Sequence, residues 1–243
     1  MKILALDSSG LVASVAVVEN DTLIAEYTVN YKKTHSQTLL PMLDEISNMT
    51  ELDLSTIDAI AVAGGPGSFT GLRIGSATAK GLGLALEKPL ISIPTTAAIA
   101  YNIWDTDKFV CPIMDARRNQ VYTGVYCYTD HRLDTVWEQD TMSIEALAEG
   151  LNCLDHEVIF LGDGVAVYRE KLEALLTIPF SFAPAHVNRQ RAAAVAALAE
   201  VYYKEGKIQT AEEHEPEYLR KSQAERERAE RESVKHADVV KKQ

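Results

Sequence analysis

Residues 2–7, KILALD, form an apolar run that closes on an aspartate, which predicts a buried strand. VASVAVVE (12–19) and TLIAEYTV (22–29) are rich in β-branched residues and are separated by Asn20-Asp21, a good tight-turn dipeptide. The chain therefore opens with a three-stranded meander. The period then changes. Over 34–49, Leu39, Leu40, Leu43 and Ile46 fall at helical spacing, and Thr34 with Gln37 reads as a capping-box pair. Pro41 lies inside this helix and should kink it or delay its regular start. Residues 55–63 give a turn and a strand, 70–86 the next helix, and 89–103 a short strand, a proline-marked turn and a helix start.

The second half repeats this order. KFVCPIMDARRNQVYTGVYCYTD (108–130) reads strand, aspartate, polar turn, strand, as KILALDSSGLVASVAVVEND does, and 132–139 supplies a third strand. A helix (143–150), a strand (157–162), a glycine loop (161–165) and helices at 167–175 and 189–205 complete it. The pattern predicts an α/β fold of two subdomains, 1–104 and 105–221, with a cleft between them. Residues 222–243 alternate charge with little apolar content and read as a solvated helix or a mobile tail, the tail being favoured.

Composition narrows the function. The 243 residues are 47% hydrophobic and 24% charged, an ordinary globular balance, and the formal net charge is -11. Such a surface repels phosphate backbones, which argues against free-standing, tight nucleic-acid binding and leaves room only for a local basic patch. The opening MKILALDSSG does not read as a signal peptide, because Asp7 interrupts the apolar stretch. The best apolar run, AAAVAALA (192–199), is far short of the roughly 18 residues needed to span a bilayer. Cys111, Cys127 and Cys153 are odd in number and scattered, which suits a reducing cytoplasm and buried core thiols rather than disulfides or zinc.

Candidate chemistry is sparse. Asp7-Ser8-Ser9-Gly10 comes after a buried strand at a hairpin tip, where an acid can hold a metal and backbone N–H groups can meet phosphate; the alternative, favoured on local sequence, is that Asp7 caps its own turn. AGGPGSFTGLRIG (63–75) resembles a phosphate loop but fails both testable patterns. Leu72 comes after Gly71 where a P-loop needs lysine, and Thr70 stands where G-x-G-x-x-G needs its third glycine. Ser68 or Thr70 can still cap the next helix, whose N-terminus with Arg73 could hold an anion. The favoured reading is close packing, since Gly71, Gly75 and Ala79 put small residues on one face. His35 lacks a second ligand four residues on, where Leu39 stands, so no metal site is expected. Asp115 precedes Ala116, Arg117 and Arg118, where a second phosphate loop would need glycine and hydroxyls.

LALDSSG, THSQTLLPMLDEI, GGPGSFTGLRIGSATAKGL, MDARRNQVY and EPEYLR (215–220) occur in that order. Together they closely resemble the TsaB (YeaZ) family of the actin/Hsp70/sugar-kinase-like superfamily, over about residues 1–220. The resemblance implies a duplicated fold, each subdomain a mixed sheet flanked by helices. It implies a cytoplasmic, bacterial accessory subunit for making threonylcarbamoyladenosine in tRNA, beside the anticodon of tRNAs reading codons that begin with adenine. The catalytic paralogue in that family is TsaD, which carries a histidine-ligated metal and the nucleotide-handling cleft; the ATPase TsaE joins the pair. The implied chain has no catalytic residue and no required cofactor, binds ATP or ADP weakly or only at the partner interface, and meets tRNA through the complex.

TsaD docking through N-terminal-lobe helices makes His35, Leu39, Leu40, Leu43, Leu72, Arg73, Gly75 and Ala79 the candidate interface. The same surface would pair two copies when the partner is absent. Asp7, Ser8, Ser9, Ser68 and Thr70 are the candidate anion or nucleotide contacts. The sequence leaves open which helix faces are core. Two rival readings are a stand-alone phosphotransferase or ATPase of the sugar-kinase type, motivated by Asp7, and a metallopeptidase, which would need a metal.

Overall fold

The structure, a computed structural model, describes residues 1–31 and 34–220. Residues 222–243, expected to be a charged tail, lie outside the described residues. The first half runs β1 (Lys2–Asp7), β2 (Val12–Glu19), β3 (Thr22–Asn30), α1 (Leu39–Thr50), β4 (Ala59–Gly65), α2 (Phe69–Leu86), β5 (Leu90–Pro94) and α3 (Thr95–Ala100). The second runs β6 (Phe109–Arg117), β7 (Gln120–Thr129), β8 (Arg132–Ser143), α4 (Ile144–Leu154), β9 (Val158–Leu161), α5 (Gly164–Leu175), β10 (Phe180–Phe182) and α6 (Ala192–Lys204).

The two halves share one topology. Each holds a five-stranded sheet, ordered β3-β2-β1-β4-β5 and, in the equivalent sense, β8-β7-β6-β9-β10. The meander pairs are antiparallel in both, and the β1–β4, β4–β5, β6–β9 and β9–β10 pairs are parallel. The turns repeat as well. Asn20-Asp21 and Asp130-His131 join the second and third strands of each half, with φ of 48° and 61°, and 49° and 63°. Two consecutive left-handed residues make the tight hairpin turn whose twist matches the strands.

Three apolar cores separate the layers. One lies outside the first sheet, where α1 and α2 cover Leu4, Leu6, Val15, Val17, Ile60 and Val62. Another lies outside the second sheet under α4 and α5, built on Ile113, Val125, Val158 and Phe160. The third fills the space between the sheets and is made by α3 and α6. Helix α6, from the second half, packs on β1 and β2 of the first, whereas α3, from the first half, packs on β6 and β7. The layer order is therefore helix, sheet, helix, sheet, helix.

First-half side chains fasten the start of α6. The Ala192 N–H donates to Ser14 Oγ at 2.9 Å, and the Ala193 N–H donates to Glu26 Oε1 at 3.1 Å. Arg191 Nε donates to Glu26 Oε2 at 3.1 Å. A helix N-terminus has donors without intrahelical partners, and here strands of the other half supply the acceptors.

Several local expectations change. The Thr34–Gln37 capping box does not form: Thr34 makes no side-chain cap, and His35–Gln37 is a 3-10 turn. Pro41 sits in the first turn of α1, where its missing N–H costs nothing, so it marks a late start without a kink. β8 and α5 are longer than expected, and β10 was not foreseen. Of the thiols expected in the core, Cys111 is buried, with its pKa pushed up by burial to about 12, but Cys127 is only half-buried and Cys153 is exposed. Among the described residues no helix is long and apolar enough to cross a membrane.

Replacing Glu26 with alanine leaves Arg191 and the Ala193 N–H unpaired at a half-buried junction. Urea denaturation is expected to show a loss of about 3 kcal/mol. Glu26→Gln, which keeps an acceptor, should lose roughly a third of that.

Candidate functional site

The cleft opens where the first and second meanders face each other. At its first wall, Asp7 ends β1 fully buried. The Ser9 N–H donates to Asp7 Oδ1 at 2.9 Å and the Ser9 hydroxyl to the same oxygen at 2.7 Å. The side chain therefore caps its own turn. Asp7 Oδ2 is buried without a hydrogen-bond partner. Burial pushes the Asp7 carboxyl up to about 6, against the pull of the two Ser9 bonds and of His35.

Helix α2 is clamped onto this turn. The Ser8 hydroxyl donates to Gly71 O at 2.9 Å, the Ser68 N–H donates to Ser9 O at 2.7 Å, and Ser68 Oγ accepts the Gly71 N–H at 3.4 Å. Ser68 is thus the helix cap. A Cβ at Gly71 would stand 2.0 Å from Ser8 O, and one at Gly75 would stand 2.5 Å from Ser8 Oγ. The glycines serve close packing as expected, but against a strand-end turn and the sheet, not against another helix.

The second wall repeats the first with different chemistry. Asp115 Oδ1 accepts the Arg117 N–H at 2.8 Å, the same two-residue cap that Asp7 makes with Ser9. The Tyr168 hydroxyl donates to Asp115 Oδ1 at 3.2 Å. Arg117, Arg118 and Asn119 then take φ of 66°, 56° and 60°, turning the β6–β7 hairpin with side chains where a phosphate loop would offer bare backbone. Burial raises the Asp163 carboxyl against the pull of Arg189.

The segment after residue 216 borders the mouth. The Glu217 N–H donates to Gly64 O at 2.7 Å, and Gln139 Nε2 reaches both Glu217 Oε2, at 2.5 Å, and Gly65 O, at 3.2 Å. Tyr218 packs against Phe69 with centroids 4.7 Å apart and the rings tilted by 39°, and the Arg73 guanidinium lies 4.1 Å from the centroid of the same Phe69 ring. Arg220 donates through Nη1 to Ala116 O on the far wall. A cavity of about 480 Å³ remains, lined from both halves by Ser9, Phe69, Asp115, Arg117, Asp163 and Tyr218 among others. Sequence reasoning assigned no role to Phe69, Tyr218 or Arg220; the EPEYLR segment was the available signal.

Of the candidate anion contacts, Asp7, Ser8, Ser9 and Ser68 come together, but their oxygens mostly hold one another and α2, while Thr70 is exposed on the rim. His35 is half-buried, with Nε2 2.8 Å from Gly10 O and Nδ1 unpartnered. Among the described residues no group of three His, Cys, Asp or Glu is placed to hold a metal.

The expected interface needs correction. Leu39, Leu43, Leu72, Gly75 and Ala79 are buried in the chain's own core, on the sheet-facing sides of α1 and α2. The outward faces are different. Leu40 is 54% exposed on α1, and α2 presents Thr70, Arg73, Ala77, Gly81 and Leu84 at three- and four-residue steps. A Cβ at Gly81 would meet nothing within 4 Å.

This geometry belongs to a known family. Residues 22–228 match the family model described as TsaD, tRNA N6-adenosine threonylcarbamoyltransferase. The chain is 33% identical to the tRNA threonylcarbamoyladenosine biosynthesis protein TsaB of Bacillus subtilis, over 93% of this chain and 96% of that protein. The chain belongs to the TsaB family. The solved structure of YeaZ from Pseudomonas aeruginosa superposes with a TM-score of 0.78 at 27% identity, covering 90% of this chain and 99% of the other. A polyphosphate/ATP-glucomannokinase from Arthrobacter sp. strain KM shares the fold alone, with a TM-score of 0.50 at 15% identity over 84% of this chain and 99% of that one. This TsaB-family chain thus has the duplicated actin/Hsp70/sugar-kinase-like fold.

Two measurements probe the site. Asp7 binds its proton more tightly folded than unfolded, so its contribution to stability is lost as pH rises from about 4 through about 6. Asp7→Asn should flatten that part of the stability curve and gain roughly 2 kcal/mol at pH 7.5, read from chemical melts across pH. Separately, Gly71→Ala is expected to cost about 2 kcal/mol through its collision with Ser8, whereas Gly81→Ala should gain roughly 0.5–1 kcal/mol; thermal melts of both variants decide.

Proposed function

We propose that this chain is a non-catalytic subunit of the machinery that makes threonylcarbamoyladenosine beside the anticodon of tRNA, and that it acts by binding and activating TsaD. The observation that carries this reading is the 33% identity with the Bacillus subtilis TsaB over 93% of the chain. The cleft supports the non-catalytic part. One oxygen of Asp7 is held by its own turn, His35 faces a carbonyl, and the Arg117–Asn119 turn withholds the bare backbone that phosphate needs. On this reading the chain requires no cofactor, and any ATP or ADP binds weakly or at the partner interface. TsaE joins the assembled pair.

The docking face is the outward side of α1 and α2, centred on Leu40, Ala77, Gly81 and Leu84. Small residues at 77 and 81 let a partner helix approach closely, and the two helices can enter a four-helix contact. The same face pairs two copies of the chain when TsaD is absent.

Dropout reconstitution tests this. Unmodified tRNA, ATP, threonine, bicarbonate, the adenylate synthetase, TsaD and TsaE are combined with and without this chain, and the modified nucleoside is counted by mass spectrometry. Product is expected only when both this chain and TsaD are present. Equal product without this chain would overturn the reading. Ala77→Arg, at an exposed helical position, should leave the thermal melt unchanged, abolish co-elution with TsaD and lower the yield by about tenfold or more.

A further inference from the structure

The cleft mouth gathers cations on a chain whose formal net charge is -11. Arg117 and Arg118 stand at the tip of the β6–β7 hairpin, and the Arg117 side chain is 86% exposed. Arg220 is anchored at the base of the same hairpin through Ala116 O. On the opposite wall Tyr218, Phe69 and Arg73 form a continuous cluster of planar groups, with 4.7 Å and 4.1 Å between successive members. Both ends are open: Tyr218 is 39% exposed, and Arg73 is exposed.

Two of the carboxylates at this site, Asp115 and Glu217, are held by neighbouring groups of the wall. Asp115 Oδ1 takes the Arg117 N–H and the Tyr168 hydroxyl, and Oδ2 makes a long ion pair with Arg117 Nε at 3.8 Å that leaves most of the arginine side chain exposed. Glu217 Oε2 takes Gln139. Asp115 and Asp163 both line the cavity itself. Negative groups inside and arginines at the rim disfavour a phosphate deep in the cavity and favour phosphates that lie across its mouth. A polymer meets that condition, and a mononucleotide seated in the cavity does not.

We infer that the cleft mouth is a contact for single-stranded RNA, with backbone phosphates on Arg117 and Arg118 and an unstacked base on the Tyr218–Phe69–Arg73 cluster. Unpaired bases stack on aromatic rings and on guanidinium planes, and arginines neutralise the backbone. This rests on the proposed role in tRNA modification, and it makes the contact with tRNA direct as well as through TsaD. Arg73 belongs both to the cluster and to the outward face of α2, so the mouth adjoins the proposed docking face.

The test uses the chain assembled with TsaD, TsaE and the synthetase, and a tRNA carrying 4-thiouridine in its anticodon loop. Arg117→Glu with Arg118→Glu is expected to raise KM for tRNA about tenfold at low salt. The same variant should leave kcat and TsaD co-elution unchanged, and the difference should shrink as salt rises. Tyr218→Ala should raise KM as well, without the salt dependence. Photocrosslinks should map to the peptides holding Arg117–Tyr122 and Tyr218. An unchanged KM in both variants, with crosslinks confined to other peptides, overturns the contact. If the wild-type chain fails to stimulate TsaD, the proposed function falls, and crosslinking of the chain alone with tRNA still decides the contact by the same two peptides.

Discussion

The structure depends on the helix wedged between its two sheets. α6 is apolar nearly all round, so it must be buried on both sides, and its N-terminal donors must be satisfied within the protein. Ser14 and Glu26 meet that demand from β2 and β3 of the other half. That capping fixes how far α6 slides along the first sheet. Thr96, Tyr126 and Gln139 form a second tie at the opposite side of the central layer, with Thr96 Oγ1 2.7 Å from the Tyr126 hydroxyl and 2.8 Å from Gln139 Oε1. Because Gln139 also bonds Gly65 O and Glu217, the same tie sets the width of the cleft.

The two cleft walls show how one geometry supports different chemistry. Asp7 and Asp115 occupy equivalent strand ends and make the same backbone cap two residues on. The residues immediately after the two aspartates differ. Ser8, Ser9 and Gly10 are small enough for α2 to close over them, while their counterparts are Ala116, Arg117 and Arg118, and the two arginines sit exposed at the hairpin tip. The fold supplies the cleft, and side chains at a few turn positions decide what it can hold.

Much of this was legible in the sequence because it rests on periodicity. The meanders, the helices at 34–49 and 70–86 and the repeat of the whole order all come from apolar spacing, and Asn20-Asp21 marked a turn that the structure forms. The faces of α2 were not legible. Gly71, Gly75 and Ala79 form one small-residue stripe and Ala77 with Gly81 forms another, and sequence offers no means of choosing which meets the sheet. The Ser8–Ser9 turn makes that choice, through long-range contacts no local pattern encodes. The Thr34–Gln37 cap failed for a related reason: Pro41 moved the α-helix start to Leu39, leaving the pair on a 3-10 turn. The contact of Tyr218 with Phe69 joins residues far apart in the chain, and although each lies in a motif segment, neither local pattern says that the two rings meet.

The exchange of α3 and α6 between the halves bears on ancestry. A half-length chain with this topology would leave much of the inner face of its first sheet uncovered, since α6, the helix that packs on β1 and β2, comes from the other half. Such a chain could be stable only as a pair of copies, each lending a helix to its twin. Fusion of the two genes would have turned that mutual loan into a covalent one. It would then have freed the two loops after Asp7 and Asp115 to diverge, since symmetry no longer forced them to carry the same residues.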